Sequence, residues 1–188
     1  MLVLSKEFIE RPIISLRTGR PIASTVHSII DPNTLKMLGW WCKEQSKKEL
    51  VILLTEDLRE VNQLGLAIDD HSALSEPEDL VRLVDVLNLN FELIGKPVRT
   101  KHRKVGKVAD FCTDAKSYFI QKIYVSQSLV KAFSTDTLII DRTQIIEITD
   151  SYVMIEDSEI KSDNRLRRPV IKKPLVTRPS QAFRTTEE

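Results

Sequence analysis

The first candidates for chemistry are two aspartates. Asp31 and Asp114 occupy matching places in two similar stretches, RPIASTVHSIID from Arg20 and RKVGKVADFCTD from Arg103. Two carboxylates held together can bind a metal ion or divide acid and base duty. These two lie one per stretch, each at the end of an expected strand and just before a turn. Asp in that place binds the backbone of its own turn, and that is the role expected of both. The histidines His27, His71 and His102 lack the His-x-x-x-His spacing of a metal site. No Gly-x-Ser-x-Gly nucleophile turn occurs. GKPVRTKHRKVGK lacks the spacing of a Walker loop. Cys42 and Cys112 stand in apolar runs without a CxxC partner, and read as buried, inert thiols rather than a disulfide. These residues point to no catalytic group, no metal and no cofactor, so the chain is expected to be non-enzymatic.

Positive charge gives a stronger signal. Lys96, Arg99, Lys101, Arg103, Lys104 and Lys107 crowd one short stretch around His102, whereas its earlier counterpart holds only Arg11, Arg17 and Arg20. Arg165, Arg167, Arg168, Lys172 and Lys173 continue the theme in the last thirty residues. Such a surface can dock an acidic protein or hold RNA by its phosphates, with affinity that falls steeply in salt. It can also be a solvated hairpin followed by a solubilising tail. Apart from Phe183, neither stretch interleaves the aromatic rings on which single strands stack. The adjacent Trp40 and Trp41 must point to opposite faces of a strand. One is expected in a core. The other is expected under a helix, against the other half of the chain, or at a partner surface.

The elements that would position these residues come in two copies. An offset of 83 residues (114 − 31) pairs Ile22 with Val105, Ala23 with Gly106, Trp40 with Ile123 and Trp41 with Tyr124. Further on, an offset of 87 (155 − 68) pairs Leu58 with Ile145, Val61 with Ile148, Leu66 with Val153 and Ile68 with Ile155. The change of offset falls in one loop, where insertion is cheap. The first copy reads as strands 13–16, 22–30, 38–43, 51–54 and 66–68. The second reads as 98–100, 105–113, 119–125, 138–140 and 153–155, with turn signals between them. So many short strands in so few residues suggest small barrels, which remove exposed sheet edges.

Between the copies, SEPEDLVRLVDVLN predicts a helix with Ser75 and Glu78 as a capping box. Its apolar face would be Leu80, Leu83, Val84 and Leu87. From Lys161 to Arg184 eight Lys and Arg stand against one acid, with three prolines and no periodicity, the composition of a disordered tail. The chain's net charge is only +1. The opening MLVLSKEFIERP is not a signal peptide, and no apolar run reaches the roughly 18 residues needed to cross a bilayer. The expectation is a cytoplasmic protein without membrane insertion.

The stretches GKPVRTKHRKVGKVADFCTD, YFIQKIYV and LIIDRTQIIEITDSYVMIED together resemble the PRC-barrel domain. The resembling features are a Gly-x-x-Val start, a turn, Val-Gly-x-Val-x-Asp, and an Ile-x-x-Ile ending before a last strand. Residues 91–157 carry the pattern closely. Residues 8–70 carry it more loosely, with Ala23 where the family prefers Gly and Arg11 before the first strand. The resemblance implies a small β-barrel that docks proteins and supplies no catalytic residues of its own. Relatives of that family include a reaction-centre subunit, a ribosome-maturation factor and adaptors of archaeal cell division.

The sequence therefore predicts a mainly all-β chain. A first PRC-like barrel covers 1–72, a connecting helix 73–90, a second barrel 91–157 and a basic tail 158–188. The expected function is a protein-binding adaptor, with an acidic protein among the partners its basic surface suits. The alternative is an RNA- or ribosome-associated processing factor. The oligomeric state is left open.

Overall fold

The computed structural model describes residues 1–44, 48–127 and 137–157. The strands are β1 Leu2–Leu4, β2 Pro12–Ser15, β3 Pro21–Asp31, β4 Lys36–Glu44, β5 Leu50–Leu54, β6 Leu58–Asn62, β7 Gly65–Ile68 and β8 Leu74–Ser75. A short helix α1, Val84–Leu89, follows. Then come β9 Pro97–Arg99, β10 Lys104–Asp114, β11 Ile120–Ser126, β12 Thr137–Asp141, β13 Ile145–Ile148 and β14 Val153–Ile155. The chain is mainly β, as expected.

Two sheets form, and they share a plan. The first runs β6-β7-β2-β3-β4-β5-β8, and the second β13-β14-β9-β10-β11-β12. In each, the first strand of the copy pairs in parallel with the last: Ile13 opposite Leu66, and Val98 opposite Val153. The long hairpins agree in register, with His27 opposite Trp41 and Asp110 opposite Tyr124. A bulge interrupts both at the same place, between Thr25 and His27 and between Val108 and Asp110. Bulges bend a strand and sharpen its twist, so both hairpins curl alike. Among the described strands, neither hydrogen-bonded path returns on itself.

The copies interlock. Asp31 and Asp114 each open a turn that ends in a left-handed residue, Leu35 at φ 52° and Tyr118 at φ 58°. A non-glycine residue there costs about 1–3 kcal/mol. The strained tips hydrogen-bond to each other: Met37 N–H donates to the Tyr118 carbonyl at 2.9 Å, and Ile120 N–H to the Leu35 carbonyl at 2.8 Å. Leu35 and Ile30 then enter the core of the second copy, beside Phe111, Ile123 and Val153. Tyr118 packs on the core of the first, edge-on to Trp40 at 6.1 Å. This is the reciprocity of an isologous interface, made within one chain.

The lead-in segments cross over too. Residues 2–4, expected in the first barrel, pair with β10, with Val3 opposite Thr113. Ala115 N–H donates to the Met1 carbonyl at 2.8 Å, closing that pairing. Correspondingly α1, just ahead of the second copy, packs over β3.

The connector departs from the predicted continuous helix. Leu74 and Ser75 are held extended by pairing with Leu53 and Ile52 of β5, so Ser75 cannot cap. Two single 3-10 turns, Pro77–Asp79 and Val81–Leu83, precede the six residues of α1. The covering face is Leu80, Leu83, Val86 and Leu87 over Ile29, Ile52 and Leu54, while Val84 points outward. A capping box does form elsewhere, between Asp141 and Gln144.

Candidate interaction surface

The basic hairpin is built by β9 and β10, with Lys104 opposite Arg99 and Lys107 opposite Pro97. Its tip is shaped by Thr100, which is buried. The Thr100 hydroxyl oxygen accepts from the N–H groups of His102 and Arg103, each at 3.2 Å, and Thr100 N–H donates to the Arg103 carbonyl. Lys101, His102 and Arg103 therefore project from an ordered turn.

The six expected cations divide into two groups. The Arg99 guanidinium lies 3.5 Å above the Tyr152 ring centre, and the Tyr152 hydroxyl donates to Glu147 at 3.2 Å. Lys96 Nζ donates to the Asp150 carbonyl at 2.7 Å and sits 4.6 Å over Phe91. These two pin the hairpin to the β13–β14 side. Lys101, Arg103, Lys104 and Lys107 are exposed, and among the described residues their side chains make no ion pair or hydrogen bond. Lys104 and Lys107 project from β10 below the tip. The other five expected cations, Arg165, Arg167, Arg168, Lys172 and Lys173, lie outside the described residues.

In the counterpart hairpin two of the three cations are engaged. Arg17 Nε sits 3.3 Å from Asp70, and Arg59 grips Asp69 with two bonds. The Arg59 guanidinium holds the Asp69 carboxyl below its ordinary range. Arg11 donates to the Asn62 carbonyl. The contrast in charge seen in the sequence persists in space: among the described residues, the first hairpin leaves only Arg20 without a side-chain partner, and the second leaves four cations free.

The remaining candidates are scattered. Asp31 accepts from Asn33 N–H at 2.9 Å and the Thr34 hydroxyl at 2.6 Å. Asp114 accepts from Lys116 N–H, Ser117 N–H and the Ser117 hydroxyl, which hold its carboxyl down at about 2. Each therefore caps its own turn, as expected. His27 lies tilted against Trp41 with ring centres 6.0 Å apart, His71 meets Glu44, and His102 faces Asp157 at 3.6 Å. Among the described residues no three His, Cys, Asp or Glu side chains come together to hold a metal. Cys42 and Cys112 are buried and free, and burial pushes the Cys42 thiol up to about 12. Trp40 is fully buried against Phe8, while Trp41 packs under the connector, an intramolecular place. Among the described residues no helix is long and apolar enough to cross a membrane.

Two features escaped the sequence. Glu44 is a buried carboxylate, 2.7 Å from His71 Nε2. Its place two residues past Cys42, in the inward alternation of Trp40 and Cys42, was a usable signal. The second is an open cleft of about 780 Å3 where the connector meets the two turns, which no local pattern announces. No family model matches this chain, and no curated protein matches it.

Proposed function

We propose that this chain is a non-enzymatic docking protein built from two PRC-like barrels, and that its partner is a protein with an acidic surface. The barrel reading rests on the cores. Leu138 and Ile140 of β12 share one core with Ile145, Ile148, Val153 and Ile155 from the other end of the sheet path. A sheet whose two ends line one core is curled around it.

The observation that carries the function is the free charge of Lys101, Arg103, Lys104 and Lys107 on an ordered hairpin. Rim charges of this kind set association rate and partner choice. An ordered presentation also lowers the entropy lost on binding. Around them lie acids rather than stacking rings: Glu147, Asp150 and Asp157, with Tyr152 already covered by Arg99. That mixture suits a patterned protein surface better than a uniform phosphate chain.

The experiment is affinity capture with the full chain, with and without RNase, beside a variant in which Lys101, Arg103, Lys104 and Lys107 are all changed to Glu. A protein partner retained after RNase and lost with the variant is the expected result. Captured material that vanishes with RNase would replace this reading with the RNA- or ribosome-associated one. Capture untouched by the variant would remove the hairpin from the interface.

A further inference from the structure

The interlocked turns create two seams, one on each side of the Leu35–Tyr118 crossing, and only one is sealed. On the sealed side Arg142, just past β12, donates to the Thr34 carbonyl at 2.7 Å and lies 4.7 Å over the Phe119 ring. Its counterpart in the first copy, just past β5, is Thr55, and the counterpart of Thr34 is Ser117. Thr55 is too short to make the reciprocal bond. Thr55 and Ser117 instead face a cleft of about 780 Å3, closed at its back by the connector. That volume falls within the range of small-molecule sites.

We propose that this open seam binds a small organic monoanion with a flat apolar body. Lys36, Arg82 and Lys116 line the cleft, and among the described residues none of the three makes an ion pair. Leu38, Leu54, Leu80, Tyr118 and Phe119 supply apolar and aromatic wall, and the Thr55 hydroxyl adds a donor, while the Ser117 hydroxyl already donates to Asp114. Glu56 and Asp79 also line it, leaving a lining excess of a single positive charge. A carboxylate or sulfonate matches that excess, whereas a polyphosphate would meet two opposing carboxylates. The site is separate from the basic hairpin and does not depend on the docking reading.

The test uses 1-anilinonaphthalene-8-sulfonate, a monoanion on a flat ring system, against N-phenyl-1-naphthylamine, the same body without charge. Both are titrated by fluorescence into the full chain and into Thr55→Arg, which installs the counterpart seal, and into Lys116→Ala. Urea midpoints of both variants check that they remain folded. The expected result is one sulfonate bound per chain, at least about tenfold tighter than the neutral dye. Thr55→Arg should weaken it by about tenfold or more, and Lys116→Ala by a few-fold, with folding intact. Equal affinity for the two dyes would overturn the anionic assignment. Binding unchanged in both variants would overturn the site. If Thr55→Arg proves unfolded, unchanged binding in Lys116→Ala alone has the same force.

Discussion

Strand β5 and its counterpart β12 lie in the same place in their sheets and carry different loads. In β5, Val51 and Leu53 enter the first core while Ile52 and Leu54 lie beneath the connector. Both faces are covered, and the strand reads LVILL. In β12, Leu138 and Ile140 enter the second core, and Ile139 between them is 52% exposed where Ile52 is fully buried. The connector follows the first copy and covers only its outside. Among the described residues the second has no such cover, and the lead-in of residues 2–4 pairs along its β10 edge-to-edge. The inward half of the plan is therefore held in common, because two curled sheets of the same order need the same core. The outward half is free to differ, and the unpaired cations of the second hairpin are part of that difference.

The interlocking sets the largest expected effect. Trp40 is fully buried among Phe8, Tyr118 and the first core, so Trp40→Ala should cost about 3–5 kcal/mol. Its counterpart Ile123→Ala should cost about 2–5 kcal/mol. Because Leu35 and Tyr118 exchange cores, each substitution should lower the stability of both halves together. Urea unfolding followed by tryptophan fluorescence, which reports the first half, and by far-UV circular dichroism should give one coincident transition in every variant. Two separate transitions, with only one moved by each substitution, would mean that the copies are independent and the exchanged tips contribute little.

A smaller contrast lies at Glu44. This carboxylate is 2% exposed and lies 2.7 Å from His71 Nε2, whereas the same position of the second copy is Gln127. An ion pair with one exposed partner contributes about 0.2–1 kcal/mol, and the His71 side chain is half exposed. His71→Ala should therefore destabilise by about 1 kcal/mol, and the double variant Glu44→Gln, His71→Ala by less than the two single changes summed. Strict additivity in that cycle would show that the two side chains do not interact in solution.

Much of the strand plan could be read from periodicity and turn residues, since hairpins are local. The strands at 22–30 and 105–113 and the turn roles of Asp31 and Asp114 rest on neighbours a few residues away. The parts that escaped depend on distant partners. Nothing near Leu2–Leu4 announces pairing with Cys112–Asp114. The predicted helix failed at its start because β5 draws Leu74 and Ser75 into the sheet, a tertiary demand that overrides a local capping signal. Val86 rather than Val84 faces inward because two 3-10 turns precede α1 and rotate its register. At the surface, the charges were legible, but which cations were already engaged was not. Lys96 and Arg99 are occupied by Asp150 and Tyr152, more than fifty residues further along.

The smallest effect separates charge from shape at the two equivalent turns. Asp114 accepts bonds from Ser117 N–H, Lys116 N–H and the Ser117 hydroxyl, which lower its carboxyl from an ordinary 3.8 to about 2. A carboxyl lowered on folding stabilises the protein above its ordinary value, and that contribution is lost as pH falls from about 4 through 2. Asp114→Asn keeps an oxygen acceptor for the turn and removes the charge, together with the bond that Oδ2 accepts from the Met1 ammonium at 3.3 Å. Its thermal midpoint should lie slightly below that of the native protein at pH 7, and the gap should close between pH 4 and 2. The group is exposed, so the gap should also shrink in high salt. Asp31→Asn, measured alongside, alters a turn of the same shape in which Asn33 N–H and the Thr34 hydroxyl are the partners. A gap for Asp114→Asn that persists unchanged at pH 2 would assign the effect to turn geometry. The two turns would then be equivalent in energy as well as in shape, and the charge at Asp114 would add nothing to the crossing of the tips.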